Sequence, residues 1–419
     1  MLSLLKIKDR VFYGWVVITA GFIISAFSLG TRSSFGVFFK SIESEFSLTR
    51  GATSSIFSVY MLLCAVFAIL GGWALDRYGP KTVALLTSCF TGLSLLLTSQ
   101  ANSAWQLFIV YGLLLSLGTA PIFTVVNSTA SRWFKKKRGF VLGITTSGGG
   151  LGTIVIAPFA TYLISNFDWR TAFIVMGLIA WPVMVFMSLL LKKDPSDIGL
   201  LPDGVKPGAA KIKLQTNESS TQLTSLSLLE ASRTSNFWFL GFVWLLLSLN
   251  VHLVLVHAVP YAVDMGISPM EAAIILSLIA GAGILGRLVM GSVSDVIGRK
   301  SLAITCAILQ VGALIWLIWA RDLWMFYLFA IAFGFSWGGL GTLSTALIGD
   351  IFGMRSVGVI MGMMSASWSV GAAIGPAIGG FTFDVTGNYF TAFAIGAVTM
   401  LITTLLVALT KRKTNLESN

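Results

Sequence analysis

Apolar residues run along this chain in long stretches that short polar loops interrupt. A helix that crosses a bilayer needs ~20 mostly apolar residues. By that measure the pattern predicts twelve spanning helices. Six fall near 12–39, 51–74, 82–100, 104–131, 139–165 and 170–191, and six near 236–262, 270–294, 301–320, 323–349, 357–380 and 388–410. Residues 192–235 break the rhythm. They are rich in Lys, Ser, Thr, Asp and Pro, too polar to span, and have the composition of a flexible linker, with a short surface helix expected near 227–233. The pattern divides the chain into an N-terminal six-helix bundle (1–191), a linker (192–235) and a C-terminal six-helix bundle with a short tail (236–419).

The two halves repeat each other. Gly72-Trp-Ala-Leu-Asp76-Arg77-Tyr-Gly79-Pro-Lys81 returns 219 residues later as Gly291-Ser-Val-Ser-Asp295-Val-Ile-Gly298-Arg-Lys300. Phe134, Arg138, Gly143 and Pro158 are echoed by Phe352, Arg355, Gly362 and Pro376, and Thr171-Ala-Phe173 by Thr391-Ala-Phe393, at offsets of 217 to 220. A polar hairpin repeated half a chain apart between membrane-length helices marks a duplicated bundle. Parallel repeats of this kind pack about a pseudo-two-fold axis normal to the membrane, with a substrate site between them near the midplane. The expected fold class is an all-α membrane protein of twelve transmembrane helices in two pseudo-symmetric six-helix bundles, an architecture of secondary transporters.

Composition agrees with the pattern. The 419 residues are 56% hydrophobic and 11% charged, with mean hydropathy +0.87. A soluble domain cannot hide that much apolar surface. The net charge of +11 raises the question of a nucleic-acid partner, but the cations sit in short loops and form no basic face. They follow the positive-inside rule instead. With a cytoplasmic N-terminus, the inside collects Lys6, Lys8, Arg10, Arg77, Lys81, Arg132, Lys135, Lys136, Lys137, Arg138, the linker cations, Arg299, Lys300, Arg355 and Lys411 to Lys413, while the outside holds Lys40, Arg50, Arg170 and Arg321. Both termini are therefore expected in the cytoplasm and the chain in the cell's inner (plasma) membrane. The first apolar run is too long for a signal peptide and lacks a small-residue cleavage site, so it reads as a retained helix. Cys64, Cys89 and Cys306 lie inside apolar segments without metal-ligand spacing. No metal, cofactor or catalytic set is expected, which argues against an enzyme.

The duplicated hairpins suggest gates. Gly72 and Gly291 would let helices approach closely, and Asp76 and Asp295, at helix ends, would cap a neighbouring helix or pair with Arg77 or Arg299. The pattern Gly72-x-x-x-Asp76-Arg77-x-Gly79-x-Lys81 resembles the cytoplasmic loop signature of the major facilitator superfamily, and 291–300 its second-half echo. That resemblance covers nearly the whole chain and implies a rocker-switch transporter with Asp–Arg contacts latching the cytoplasmic side. A narrower resemblance follows. Phe12-Tyr-Gly14-Trp15 opening the first helix, and Arg132-Trp133-Phe134-Lys-Lys-Lys-Arg138-Gly139-x-x-x-Gly143 before the fifth, are similar to the two signatures of the monocarboxylate transporters, a pattern shared with the oxalate–formate exchangers. Asp197-Ile-Gly-Leu-Leu-Pro-Asp203-Gly204 and Val259-Pro260-Tyr261 to Gly266-Ile267-Ser268 resemble bacterial members.

Arg287 stands in the middle of helix eight, in Gly283-Ile-Leu-Gly286-Arg287-Leu-Val-Met-Gly291. An arginine at depth costs at least ~2.5–3.5 kcal/mol on insertion scales, so it should face a watery cavity or a partner. Its planar guanidinium matches a carboxylate, although a structural arginine on helix carbonyls is the alternative. The resemblance implies the same role, because the substrate arginine of the monocarboxylate carriers falls on Arg287. Their acidic partner one turn earlier falls on Gly283, and their first-helix lysine falls near Ser33, beside Arg32. One residue is ~100° around a helix, so Arg32 is either an access-path cation or an interfacial anchor. The exchangers' additional lysine falls near Ser367–Trp368, which favours monocarboxylates over oxalate. His252 and His257 are the only histidines. His257 can share a face with Asp264, which makes the pair proton-coupling candidates, with a hydrogen-bonded structural histidine as the alternative. Tyr60, Asn127, Ser147, Trp337 and Trp368 are candidate cavity residues. The run Gly148-Gly149-Gly150-x-Gly152 lacks the Lys-Ser/Thr of a phosphate loop and suits close helix packing.

The resulting expectation is a proton-coupled carrier of lactate- or pyruvate-like monocarboxylates, working as a monomer on a small carboxylate and protons within the bilayer. An organic-anion exchanger of the oxalate–formate type, or a drug-type exporter, is the alternative within transport. A non-transporting ligand sensor is the alternative outside it.

Overall fold

A computed structural model of the protein describes residues 12–135, 138–204, 228–352 and 357–410. Ten of the helices among them are long and apolar enough to cross a bilayer. One of the ten, Arg50–Thr98, is two helices merged across Gly79, whose φ of 79° is non-helical. With Val357–Thr386 the number reaches the twelve that the pattern predicted. The membrane helices are α1 (Tyr13–Ser33, continued as Phe35–Glu45), α2 and α3 (Arg50–Thr98 before and after Gly79), α4 (Ala104–Trp133), α5 (Arg138–Asn166) and α6 (Trp169–Leu190). The second six are α7 (Ser235–Asp264), α8 (Pro269–Ile297), α9 (Arg299–Trp319), α10 (Leu323–Phe352), α11 (Val357–Thr386) and α12 (Phe390–Leu409).

Local chemistry sets the helix ends. Asp168 caps α6 by accepting the Thr171 amide, and that bond holds its carboxyl below the usual carboxylate range. Ser268 caps α8, with Pro269 at its first position and Glu271 three residues beyond the cap. In the repeated hairpins Gly79 and Gly298 take φ of 79° and 103°. Only glycine adopts such values without strain, so the matched glycines mark the same turn in both halves.

By packing, the chain forms two compact units. One comprises Met1–Ser34 and Val66–Thr221, the other Phe35–Ala65 and Gln222–Asn419. The far ends of α1 and α2 thus pack within the second unit. Within the first unit α5 lies against α1: a Cβ added at Gly152 would sit 1.9 Å from the Ala26 carbonyl oxygen. Within the second, α11 lies against α7: a Cβ at Gly371 would sit 2.0 Å from the Leu245 oxygen. Residues 371 and 245 are the 219-residue repeats of 152 and 26, so the duplication reaches the interhelical seams. The glycine run at 148–152 is a packing surface, as its setting in an apolar helix suggested.

The linker departs in part from its flexible reading. A short helix forms at Leu228–Ser232, as expected. Residues 194–204, however, are ordered. Asp194 and Asp197 form a capping box, Gly199 takes φ of 72°, and Asp203 accepts the Lys135 amide at 3.1 Å. A polar composition does not reveal that these acids are consumed locally.

Candidate functional site

The two resembling signatures meet in the first unit. Phe12 lies 5.7 Å from Trp133 and 5.4 Å from Phe134, and Trp15 lies 5.1 Å from Phe134, ring centroid to centroid. Tyr13 donates to the Leu190 carbonyl at 3.0 Å and Trp133 to that of Lys192 at 3.0 Å. The start of α1, the end of α4 and the end of α6 are pinned by this aromatic cluster, so the signatures have a structural role here.

The hairpin residues behave differently from expectation. Asp76 and Arg77 do not pair. Adjacent helical residues point ~100° apart; Asp76 is 80% exposed with Arg132 at 3.8 Å, and Arg77 lies over the Trp73 and Tyr78 rings. Arg132 also meets Asp194 at 3.4 Å. Arg299 pairs with Asp350 of α10, and Lys300 caps the end of α12 through the Thr410 carbonyl at 2.8 Å. Gly72 and Gly291 do not mediate close approach: an added Cβ meets nothing within 4 Å at the first and only Thr342 at 3.7 Å at the second. The side chains of Arg138 and Asp295 lie outside the described residues.

Arg287 is held in the second unit by a tight α8–α10 seam, where a Cβ at Gly286 would come within 2.1 Å of the Phe335 oxygen. The residue is half-buried, with its Cζ 5.3 Å from the Trp337 ring centroid. Among the described residues its guanidinium makes no ion pair and no hydrogen bond. Gly283, one turn earlier, faces Gly334 and Trp337, where a Cβ would already be 3.4 Å from both. An acidic side chain there would press into α10.

A second group follows α7 and α11. Tyr60, Phe57, His252, Trp368 and Trp244 form a continuous aromatic series with centroid separations of 5.6, 6.0, 5.8 and 6.0 Å. The sequence argument named Tyr60 and Trp368 but missed Trp244. Its buried indole N–H has no hydrogen-bond partner among the described residues. In the first unit, Asn127 accepts from Thr145 at 3.2 Å and Ser147 donates to the Ile144 carbonyl at 2.8 Å. The first bond joins α4 to α5, and the second lies within α5. Arg32 is half-buried in that unit, without an ion pair among the described residues.

Arg50, not singled out from the sequence, stands in the second unit where α2 begins and α7 ends. Its Nη1 reaches Asp264 Oδ2 at 2.6 Å and donates to the Tyr389 hydroxyl at 2.7 Å, and its Nε reaches Glu43 at 3.2 Å. Lys40 pairs with the other Asp264 oxygen. Asp384 accepts the Arg50 and Gly51 amides at 2.9 and 2.8 Å, capping α2 from α11. Burial pushes the Tyr389 hydroxyl pKa up. His257 joins through Tyr389 at Nδ1, 3.1 Å, and through Pro376 O at Nε2, 2.9 Å. A carbonyl only accepts, so Nε2 carries the hydrogen and Nδ1 accepts from Tyr389. His257 and Asp264 do not touch; Arg50 and Tyr389 connect them. The cluster around Arg50 was not legible because Glu43, Arg50, Asp264 and Asp384 are scattered along the chain.

Twelve membrane helices in duplicated halves are the architecture of a polytopic transporter. The profile of the Major Facilitator Superfamily matches residues 21–291 and 239–419. The chain belongs to that superfamily. Monocarboxylate transporter 13 of Bos taurus is 26% identical over 396 residues, covering 93% of this chain and 87% of its own. Monocarboxylate transporter 12 of Homo sapiens is 24% identical over 431 residues, covering 97% and 83%. Among solved structures, a bacterial homolog of the human lysosomal transporter Spinster, inward-facing and unoccupied, aligns with TM-score 0.67 at 15% identity over 95% of both chains. The nucleoside transporter NupG aligns with TM-score 0.72 at 15% identity, over 94% of this chain and 100% of its own. The two structures agree with this chain in fold.

Proposed function

We propose that this chain is a secondary active carrier of small monocarboxylates of the lactate and pyruvate kind, working by alternating access. The observation behind the proposal is Arg287. A guanidinium within a membrane helix needs an anion or water to offset its desolvation, and none of the described side chains supplies the anion. A substrate carboxylate fits its two parallel donors, and the Trp337 ring offers an apolar wall beside them. The similarity to proteins named monocarboxylate transporters supports the same substrate class.

The carboxylate bound at Arg287 is itself the group that takes up the coupled proton. His257 already spends both ring nitrogens on Tyr389 and Pro376, and Asp264 is engaged by Arg50 and Lys40. Gly283 favours a second reading, exchange of one organic anion for another, because none of the described acidic side chains stands beside Arg287 to take a proton. The distribution of Lys and Arg supports an orientation with both termini in the cytoplasm.

Uptake of labelled lactate, pyruvate and oxalate into proteoliposomes tests this, with and without an inward proton gradient. Gradient-driven monocarboxylate uptake that Arg287→Ala abolishes is the expected result. Uptake seen only with a counter-anion inside would establish exchange. Uptake indifferent to Arg287, or none for any acid, would remove the carboxylate assignment.

A further inference from the structure

Asp264 closes α7 and presents one oxygen to each of two cations, Oδ2 to Arg50 and Oδ1 to Lys40. The other groups around Arg50 fix it from different sides. Glu43 takes Nε, and Tyr389 takes a second hydrogen of Nη1, with His257 behind it. The Phe383 ring centroid lies 3.7 Å from Cζ, and Asp384 binds only the backbone amides of Arg50 and Gly51. The guanidinium is thus held in place with or without Asp264. Its side chain is 9% exposed, against 21% for Asp264 and 36% for Lys40. Asp264 is also the last residue of its helix, and Gly266 follows it with φ of 87°. Asp264 is thus more exposed than the guanidinium it meets, and it is the group's one carboxylate that touches both cations, from a helix end.

We propose that Arg50 and Lys40 form a second carboxylate-binding site, which Asp264 occupies as an internal stand-in and which a free monocarboxylate takes when Asp264 swings out. The identity of the incoming acid rests on the function proposed above. The stereochemistry does not. Two cations, each meeting a different oxygen of one carboxylate, suit any R–COO⁻ group and do not suit a single-centred anion. Asp264 is tethered and competes intramolecularly, so the incoming acid takes the site only in the conformation in which the α7 end has moved away. Binding of the acid and release of the α7 end from the α1–α2 segment are then one event.

Chemical rescue tests the site without any transport. Full-length Asp264→Ala is purified in detergent and its melting followed against sodium acetate, sodium lactate and, at equal ionic strength, sodium chloride. Asp264→Asn serves as a parallel variant that keeps the shape of the side chain. Acetate and lactate are expected to raise the melting temperature of each variant by about 2–4 °C, chloride to leave it unchanged, and Arg50→Gln in the same background to remove the response. Equal effects of chloride and acetate, or a response that survives Arg50→Gln, would overturn the proposal. Because the readout is melting, a protein that carries no monocarboxylate at all would still pass or fail this test.

Discussion

A guanidinium inside a membrane helix makes sharp demands on its neighbours, and Arg287 and Arg50 meet them differently. Arg50 is surrounded by the chain's own carboxylates and a phenol. Arg287 has an indole beside it and no carboxylate among the described residues. That contrast is why the proposed carboxylate is placed at Arg287 and not at Arg50. Lysine there keeps the charge but loses the planar pair of donors. Arg287→Lys is expected to lower uptake efficiency about 10- to 150-fold, corresponding to a lost charge-assisted hydrogen bond of ~1.5–3 kcal/mol, with the loss read from initial rates at subsaturating acid. His257 gives the opposite expectation. Glutamine can present an N–H to the Pro376 carbonyl, so His257→Gln should keep gradient-driven uptake. Loss of the gradient response with exchange intact would make His257 the proton carrier.

At the scale of elements, the seams between helices do what side chains do in a soluble core. Where α5 meets α1 and α11 meets α7, backbone touches backbone, and the nearest atom to a missing Cβ is a carbonyl oxygen about 2 Å away. Backbone cannot rotate aside. Gly371→Ala should therefore destabilise the purified protein by about 1–3 kcal/mol, whereas Gly312→Ala in α9, where a Cβ meets nothing within 4 Å, should not. Equal melting of the two variants would contradict this account of the seams. The sequence shows glycines in apolar helices, and so a packing role was legible. Which of them sit on a seam was not, since Gly72 and Gly291 look just as suitable and lie in open surroundings.

For the whole molecule, the bilayer dictates where charge can stand. The short loops carry most of the cations, and their side bias sets the orientation. In a chain with Cys64, Cys89 and Cys306 replaced by alanine, a new cysteine at Asn102 should react with a membrane-impermeant maleimide added to intact cells. One at Ser196 should react only after permeabilisation. The reverse pattern would invert the topology and place the Arg50 cluster on the cytoplasmic face.

Hydrophobic length and repetition are properties of consecutive residues, and they were enough to determine twelve helices, their approximate limits, the duplication and the lone arginine of α8. A membrane-length apolar run has no alternative but a helix, because lipid offers its backbone no hydrogen bonds. Pairing between distant residues has no such local signature. The sequence placed Asp76 with Arg77 because they are neighbours, yet the fold sends Arg77 to Trp73 and Tyr78 and sets Arg132 nearest Asp76. It left Arg50 as one cation among several, and only the packing of α2 against α7 and α11 gathers Glu43, Asp264, Asp384 and Tyr389 around it. Each of those contacts joins side chains whose approach is set by helix crossings, which tertiary structure alone decides.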